Sequence, residues 1–485
     1  MAFTGYIDGA FVHGEGASFI VENPSDESVV AELRGVSAGQ VDAAIGAARR
    51  SFDSGIWSGI SMKERGAVMR RYAECLRKHA DRLKELAITE AGCPVNSTVM
   101  MAQVHAPLRM TDDIIDMFLT MPEVQENPLP LSERVNPYFA VQSLKRWTPL
   151  GVVSAISAYN VPFYTAFWKV VPALMAGDSV VLRPNPLTPI SALIFAEAAA
   201  EAGIPAGVLN VLIEGGLDAG LTMTTDDRVD LVSFTGSCVV GAKVAAQAAP
   251  TLKRLVLELG GKSANIFLPD SVDKAAGGGY QVCTSHAGQG CVLGTRIFVP
   301  EADKPKVLEQ MAAMMKGIKI GVASDPATQL GPVISAAQRD RCEHFTQAAV
   351  DAGGKVVTGG KRPAEFNKGF FFEPTVLDLP DNKNPAAQEE IFGPVVGVIG
   401  YRDLDHAVEM ANDSKFGLSG WVHGADKVAA LNVGKRIRSG AVNVNGAVMS
   451  SYASGGGIKM SGIGRERGSE GLREFQMLTT FNIGG

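Results

Sequence analysis

The chain reads as an α/β protein, and three observations predict that class. From residue 149 onward, short apolar strands alternate with helices, the pattern of a parallel sheet covered on both faces. The alternation resumes after residue 263, and 485 residues exceed what one core holds. A hydrophobic content of 46% with 20% charged residues is that of an ordinary globular chain.

Residues 1–35 predict paired strands around the turn signals Asp8-Gly9 and Asn23-Pro24. Apolar residues at three-to-four spacing predict helices over 37–54, 61–93 and 95–121. The Pro-, Asn- and Glu-rich stretch 123–137 reads as a linker, and 138–147 as a strand leaving the helical body. In the first alternating region, strands fall at 152–157, 179–183, 208–213, 231–234 and 255–259. Helices lie between them at 164–176, 189–202, 217–225 and 238–248. An amphipathic segment over 271–287 leads into the second region. Its strands are expected at 264–269, 295–300, 394–401, 418–423 and 441–445, with helices near 303–316, 335–352, 403–413 and 425–438. The tail, 472–483, reads as a last strand.

Residues 147–168 carry no charge and would reach across a bilayer. Pro149, Asn160 and Pro162 break the run into a strand, a turn and a helix start, so it reads as buried core. A net charge of −6 argues against nucleic acid or an anionic membrane as a partner. The opening residues carry no basic targeting signal. Six cysteines without C-x-x-C spacing, and dispersed histidines, predict a reducing compartment, the cytoplasm, with neither disulfides nor a metal.

Five stretches can carry chemistry. In Gly288-Gln289-Gly290-Cys291-Val292-Leu293-Gly294, glycines flank one thiol in a loop entering a strand, where backbone and substrate can approach it. The alternative is a small core cysteine. In Phe234-Thr235-Gly236-Ser237-Cys238, a strand breaks into a helix whose free N–H groups suit a pyrophosphate, although an ordinary βα turn looks the same. Glu258, in an apolar strand before Gly260-Gly261, is either a buried ion-pair partner or a general base with a raised pKa. Asn160, ending a strand, either caps a turn or donates to an oxyanion. Glu390, beside Phe392, either ends a helix or holds a ribose next to a flat ring.

The blocks 149–189, 234–241, 258–263, 288–296, 389–395 and 459–468 follow the order found in the NAD(P)-dependent aldehyde dehydrogenases. The chain resembles that superfamily essentially from end to end. The resemblance implies a Rossmann-type dinucleotide-binding domain (1–127 and 149–258), an α/β catalytic domain (259–456) and a β-strand oligomerisation arm with the tail (128–148 and 457–485). It makes Cys291 the nucleophile, attacking an aldehyde to give a thiohemiacetal whose oxyanion lies between the Asn160 amide and the Cys291 N–H. Hydride transfer to the nicotinamide then leaves a thioester, and Glu258 activates the water that hydrolyses it. Acylating relatives that use coenzyme A lack that glutamate, so the implied product is a free carboxylic acid. Lys169 and Glu466 match a proton path or structural pair behind the site.

For the cofactor the resemblance points to Ser157, Arg183, Gly220, Phe234, Gly236, Ser237, Gly241, Leu259, Glu390 and Phe392. The family pairs a lysine with an acid three residues later at the adenosine ribose. This chain has Arg183 and Pro186, which leaves NAD expected and NADP open. Tyr159 replaces a common tryptophan, and Ser454-Gly455 replaces a Pro-Phe pair in the mouth loop 446–455 with Val448, Met449 and Tyr452, which implies a wider entrance. Val161, Thr165, Trp168, Val292 and Tyr452 are the expected substrate wall, apolar and without an arginine, so a hydrophobic aliphatic or aromatic aldehyde is expected. His286 is the nearby ionisable residue and reads as a turn residue facing away. The arm implies a homodimer or homotetramer. A coenzyme-A-acylating dehydrogenase, a cofactor-independent thiol hydrolase and a non-catalytic relative are the rival readings.

Overall fold

The structure is a computed structural model describing residues 2–130, 142–447 and 450–484. One sheet runs, in spatial order, Gly462–Ile463, Arg254–Glu258, Leu231–Thr235, Val152–Ile156, Ser179–Arg183, Leu209–Leu212, Gly5–Ile7 and Ala10–Val12. Its five middle strands, from Arg254–Glu258 to Leu209–Leu212, are parallel. The first three of these in the chain step to one side from Val152–Ile156, and the next two step to the other. The reversal between Val152–Ile156 and Leu231–Thr235 opens a crevice at their carboxyl ends, where such sheets bind ligands.

The second sheet runs Lys355–Thr358, Thr375–Asp378, Val395–Tyr401, Arg296–Pro300, Ala264–Phe267, Ser419–His423 and Ala441–Val444, parallel except for its first pair. Strands over 355–358 and 375–378 were not expected, since four-residue stretches with an exposed Lys355-Val356 edge show little apolar pattern. In the third sheet, Gln142–Pro149 pairs with Gln476–Ile483 on one side and Val124–Glu126 on the other. The expected linker thus carries a fully exposed edge strand near its start, and its residues 131–137, with 138–141 of the expected arm strand, lie outside the described residues. The tail divides: Gln476–Ile483 belongs to this third sheet, whereas Gly462–Ile463 pairs with Arg254–Glu258 in the first.

Two expected helices are each broken. Residues 61–93 form Met62–Arg77 and Ala80–Thr89, which turn at Lys78-His79 so that both apolar faces reach the core; no Gly or Pro marks the turn. Residues 95–121 form a turn at Thr98–Met100, a π-helical turn at Met101–His105 and the helix Ala106–Thr120. Pro107 follows the wide turn, because its ring and missing N–H disrupt regular helix packing around it. The uncharged run is core as expected: Val152–Ile156 is wholly buried, and in Pro162–Ala176 Tyr164 alone escapes full burial. Among the described residues, no helix is long and apolar enough to cross a membrane.

Candidate active site

The chain leaves the first sheet at Glu258 and enters the second at Ala264 through Leu259-Gly260-Gly261-Lys262-Ser263. Both glycines are required by contact. A side chain on Gly260 would collide with the Glu390 carboxylate, and one on Gly261 with the Cys291 carbonyl. The Gly261 N–H donates to Glu390 Oε1 at 2.8 Å. The crossover therefore seats a carboxylate and the Cys291 loop side by side.

That loop is held in an uncommon backbone path. His286 (φ 51°), Ala287 (φ 52°) and Gly288 (φ 71°) are consecutive left-handed residues, and any side chain on Gly288 would strike the Gly393 carbonyl. Gln289 locks the path from within: its Nε2 donates to the His286 carbonyl at 3.1 Å, and its Oε1 accepts from the Ile334 N–H at 2.9 Å. Asn160 Nδ2 then donates to the Gln289 carbonyl at 2.8 Å, tying the end of strand Val152–Ile156 to the loop. An amide carries two N–H groups, so one remains for a substrate oxygen. Gln289 went unrecognised in the sequence, where it looks like any polar loop residue.

A cavity of about 1520 Å³ runs between the two sheets. Cys291 lines it, alone among the six cysteines, and so do Glu258, Asn160 and Glu466. Lys169 stands behind, its side chain fully buried, with Nζ 2.7 Å from Glu466 Oε1 and 3.2 Å from Ser233 Oγ. Glu258 Oε1 is buried without a hydrogen-bond partner among the described residues, and Gly456 leaves the room beside it. Burial first, and the neighbouring Glu466 charge second, lift the Glu258 carboxyl to the alkaline side of neutral; Lys169 and the nearby arginines oppose the shift. Burial pushes the Cys291 thiol up to about 12, helped by Glu390 and Glu258 and opposed by Arg467. The resting thiol is thus protonated, and a base must take its proton.

At the crevice, Ser157, Phe234, Gly236, Ser237, Leu259, Glu390 and Phe392 all line the cavity. Ser157 Oγ and Thr235 Oγ1 are buried there without partners among the described residues. Ser237 caps helix Cys238–Ala248, accepting from the Val240 N–H at 3.3 Å. Beyond that turn, Leu217 (68% exposed) and Val239 (69% exposed) present apolar walls to the cavity. Unsatisfied hydroxyls at the ends of two adjacent strands, beside the start of helix Cys238–Ala248 and an open apolar slot, fit a dinucleotide's pyrophosphate and its flat base. Tyr159, the replacement for tryptophan, packs edge-on against Phe392 at 5.9 Å.

Several expected residues fall elsewhere. Gly241 does not line the cavity; its missing side chain makes room for Leu259, a packing role. Gly220 is also off the wall, its N–H donating to Glu214 Oε1 at 3.2 Å. Arg183 lines the cavity but is not a loose cation, because its Nε donates to Glu214 Oε1 at 2.9 Å. Of the wall, Val161, Thr165, Trp168 and Val292 line the cavity, whereas Tyr452 is exposed and off the lining, to which Ser450, Ser451 and Gly455 of the same loop contribute. Val448 and Met449 lie outside the described residues. His286 is buried away from the cavity, and burial lowers it to about 4, so it stays neutral. The expectation of no arginine is overturned: Arg109 and Arg467 both line the cavity. Arg109 comes from a helix face that linear spacing does not connect with the site, and Arg467 from the closing block.

The aldehyde dehydrogenase family profile matches residues 11–481. The chain belongs to the aldehyde dehydrogenase family. It is 34% identical over 489 residues to betaine aldehyde dehydrogenase of Bacillus subtilis, covering 98% of this chain and 96% of that protein. The structure of Staphylococcus aureus betaine aldehyde dehydrogenase in complex with NAD+ superposes with a TM-score of 0.92 at 33% identity, covering 100% of this chain and 95% of that one. A mutant aldehyde dehydrogenase C of Pseudomonas syringae, in complex with NAD+ and octanal, gives a TM-score of 0.91 at 35% identity, covering 99% and 96%.

The Gln289 lock gives a test. Replacing Gln289 with Leu should lower kcat about 100-fold by displacing the thiol, since misplacements near 1 Å cost roughly that much. Cofactor affinity, measured by fluorescence titration, should stay within about twofold of the parent.

Proposed function

We propose that this aldehyde dehydrogenase oxidises an aldehyde with an apolar body to its carboxylic acid, using NAD, through covalent chemistry on Cys291. One observation carries the reading: a thiol, an unpartnered carboxylate and an amide with a spare N–H meet in the cavity that also contains the dinucleotide crevice. Glu258 takes the Cys291 proton, and the thiolate attacks the aldehyde carbon. Negative charge develops on the aldehyde oxygen, within reach of the second Asn160 N–H; such a donor contributes about 10²–10³ in rate. NAD, when bound, supplies the hydride acceptor that turns the thiohemiacetal into a thioester. Glu258, once it has passed the thiol proton outward and is a carboxylate again, accepts a proton from water, whose oxygen displaces the sulfur as thiolate and releases the acid. The Lys169–Glu466 pair behind it gives that proton a route out. Ser157, Ser237 and the Gly236 turn suit the pyrophosphate, and Glu390 the nicotinamide ribose beside Phe392.

The wall favours an uncharged substrate body. A quaternary ammonium group binds through aromatic faces. Here the Arg467 guanidinium carbon lies 5.3 Å from the ring centres of both Tyr164 and Trp168, so a cation already occupies those faces. Arg109 also lines the cavity. The octanal complex of the P. syringae relative supports an aliphatic body. The betaine aldehyde activity of other relatives does not transfer to a chamber with this charge.

The third sheet ends in an open edge strand with Met477, Leu478, Phe481 and Ile483 exposed, which suits pairing with a second subunit. We assign the arm, residues 128–148 with the tail, to a homodimer or homotetramer. Six unbridged thiols favour the cytoplasm.

Cys291→Ala should bind NAD and turn nothing over, whereas Glu258→Gln should be slow to acylate and then stall as a thioester, read as a mass adduct on intact protein. Because Glu258 works as the carboxylate and its pKa is raised, wild-type kcat should climb as pH rises through neutrality and level off above it. That slope should vanish in Glu258→Gln. In a substrate panel, octanal should exceed betaine aldehyde in kcat/KM by at least about 100-fold; equal values would refute the charge argument. Deleting residues 476–485 should leave a smaller species in light scattering, and an unchanged mass would remove the arm from the assembly.

A further inference from the structure

We infer that Glu214 is the residue that sets cofactor choice, selecting NAD over its 2′-phosphorylated form; this rests on the reading of the crevice as an NAD site. Where the family's acid is expected, this chain has Pro186, which offers neither charge nor hydrogen bond. The structure brings an acid from another strand. Glu214 follows strand Leu209–Leu212, next to Ser179–Arg183 in the first sheet, and its Oε1 lies 2.9 Å from Arg183 Nε. Both side chains are buried, at 6% and 7% exposure. Arg183 Nη2 donates to the Gly216 carbonyl at 2.5 Å. Glu214 Oε2 accepts from the Ala219 N–H at 2.9 Å, and Oε1 also accepts from Gly220, so the carboxylate caps helix Asp218–Thr225.

The consequence is electrostatic. Arg183, Asn185, Pro186 and Leu217 line the cavity beyond the Gly236-Ser237 turn, on the side away from Cys291, where the adenosine half of a dinucleotide lies. A free arginine there would grip a 2′-phosphate through its fork of donors. In this chain Nε and Nη2 of the guanidinium are held by Glu214 and the Gly216 carbonyl, and the Glu214 carboxylate offsets its charge. A phosphate carrying about −1.5 to −2 charges meets, at Arg183, a cation already paired with a buried carboxylate. A ribose hydroxyl meets neither difficulty. Glu214 therefore acts twice, by occupying the arginine and by repelling the phosphate.

The experiment is a calorimetric titration of the wild-type enzyme, without aldehyde, with NAD and separately with NADP. NAD should bind at least about tenfold tighter. Glu214→Gln keeps the shape but releases Arg183, and should narrow the ratio about tenfold or more, chiefly through tighter NADP binding. Arg183→Gln leaves Glu214 unpaired and should widen the ratio. A purely structural role would move both affinities together, in either variant. Equal wild-type affinities, or a ratio unmoved by both variants, would overturn the inference while leaving the crevice assignment intact. Binding of neither dinucleotide would instead overturn that assignment. Thermal melts identify a variant that fails to fold, and the other variant still decides the direction.

Discussion

The hydrogen bond from Asn160 Nδ2 to the Gln289 carbonyl joins the two halves of the machine. One partner lies in the turn that follows strand Val152–Ile156 of the first sheet, and the other sits two residues before the Cys291 thiol, in the loop leading into the second sheet. Nothing else orders the site so economically. The bond sets the distance between the sheets' facing ends, turns one amide N–H toward the loop and leaves the other for a substrate oxygen. It also explains why a loop with three left-handed residues holds its shape: Gln289, itself tied to His286 and Ile334, stores that backbone strain in a rigid frame. The Gly260-Gly261 crossover completes the join from below, bringing Glu390 against bare backbone.

Charge in this site is governed by burial rather than by pairing. Cys291 and Glu258 are both pushed toward their neutral forms by desolvation, and each carboxylate nearby reinforces the effect. A protonated thiol beside a weakly acidic carboxyl is a poor nucleophile until its proton is removed. Proton transfer between two groups whose affinities have both been raised costs less than creating a thiolate beside an ionised glutamate. On the proposed reading, the same raised affinity suits the carboxylate to accept a proton from water. Lys169, sealed in the core against Glu466, keeps a compensating positive charge in place without opening the site to solvent.

The parts legible in the sequence share a property: their signals are local. The five parallel strands of the first sheet show as apolar runs, and Cys291, Glu258 and Asn160 each stand in a block whose neighbours announce a turn or a strand end. What escaped notice depends on contacts between distant segments. The helix break at Lys78-His79 has no Gly or Pro because packing of two faces, not backbone chemistry, dictates it. Arg109 reaches the cavity from a helix placed there by the π-turn before it, and no spacing rule connects residue 109 with residue 291. Gly241 misled in the opposite direction: a glycine beside a phosphate-like turn is kept for Leu259, not for a ligand.

Glu214 shows how far such long-range placement can stand in for a missing motif. An acid ending an apolar strand just before two glycines is the same local pattern that flags Glu258, yet its role cannot be read until its partner is known. In the fold, the neighbouring strand ends in Arg183, and adjacent parallel strands bring their carboxyl-terminal residues to one rim of the sheet. Position along a parallel sheet thus converts separations of 31 residues into a buried pair at 2.9 Å. An acid lost three residues after the arginine can be replaced from the next strand over, because the rim, rather than the linear motif, is what faces the ligand.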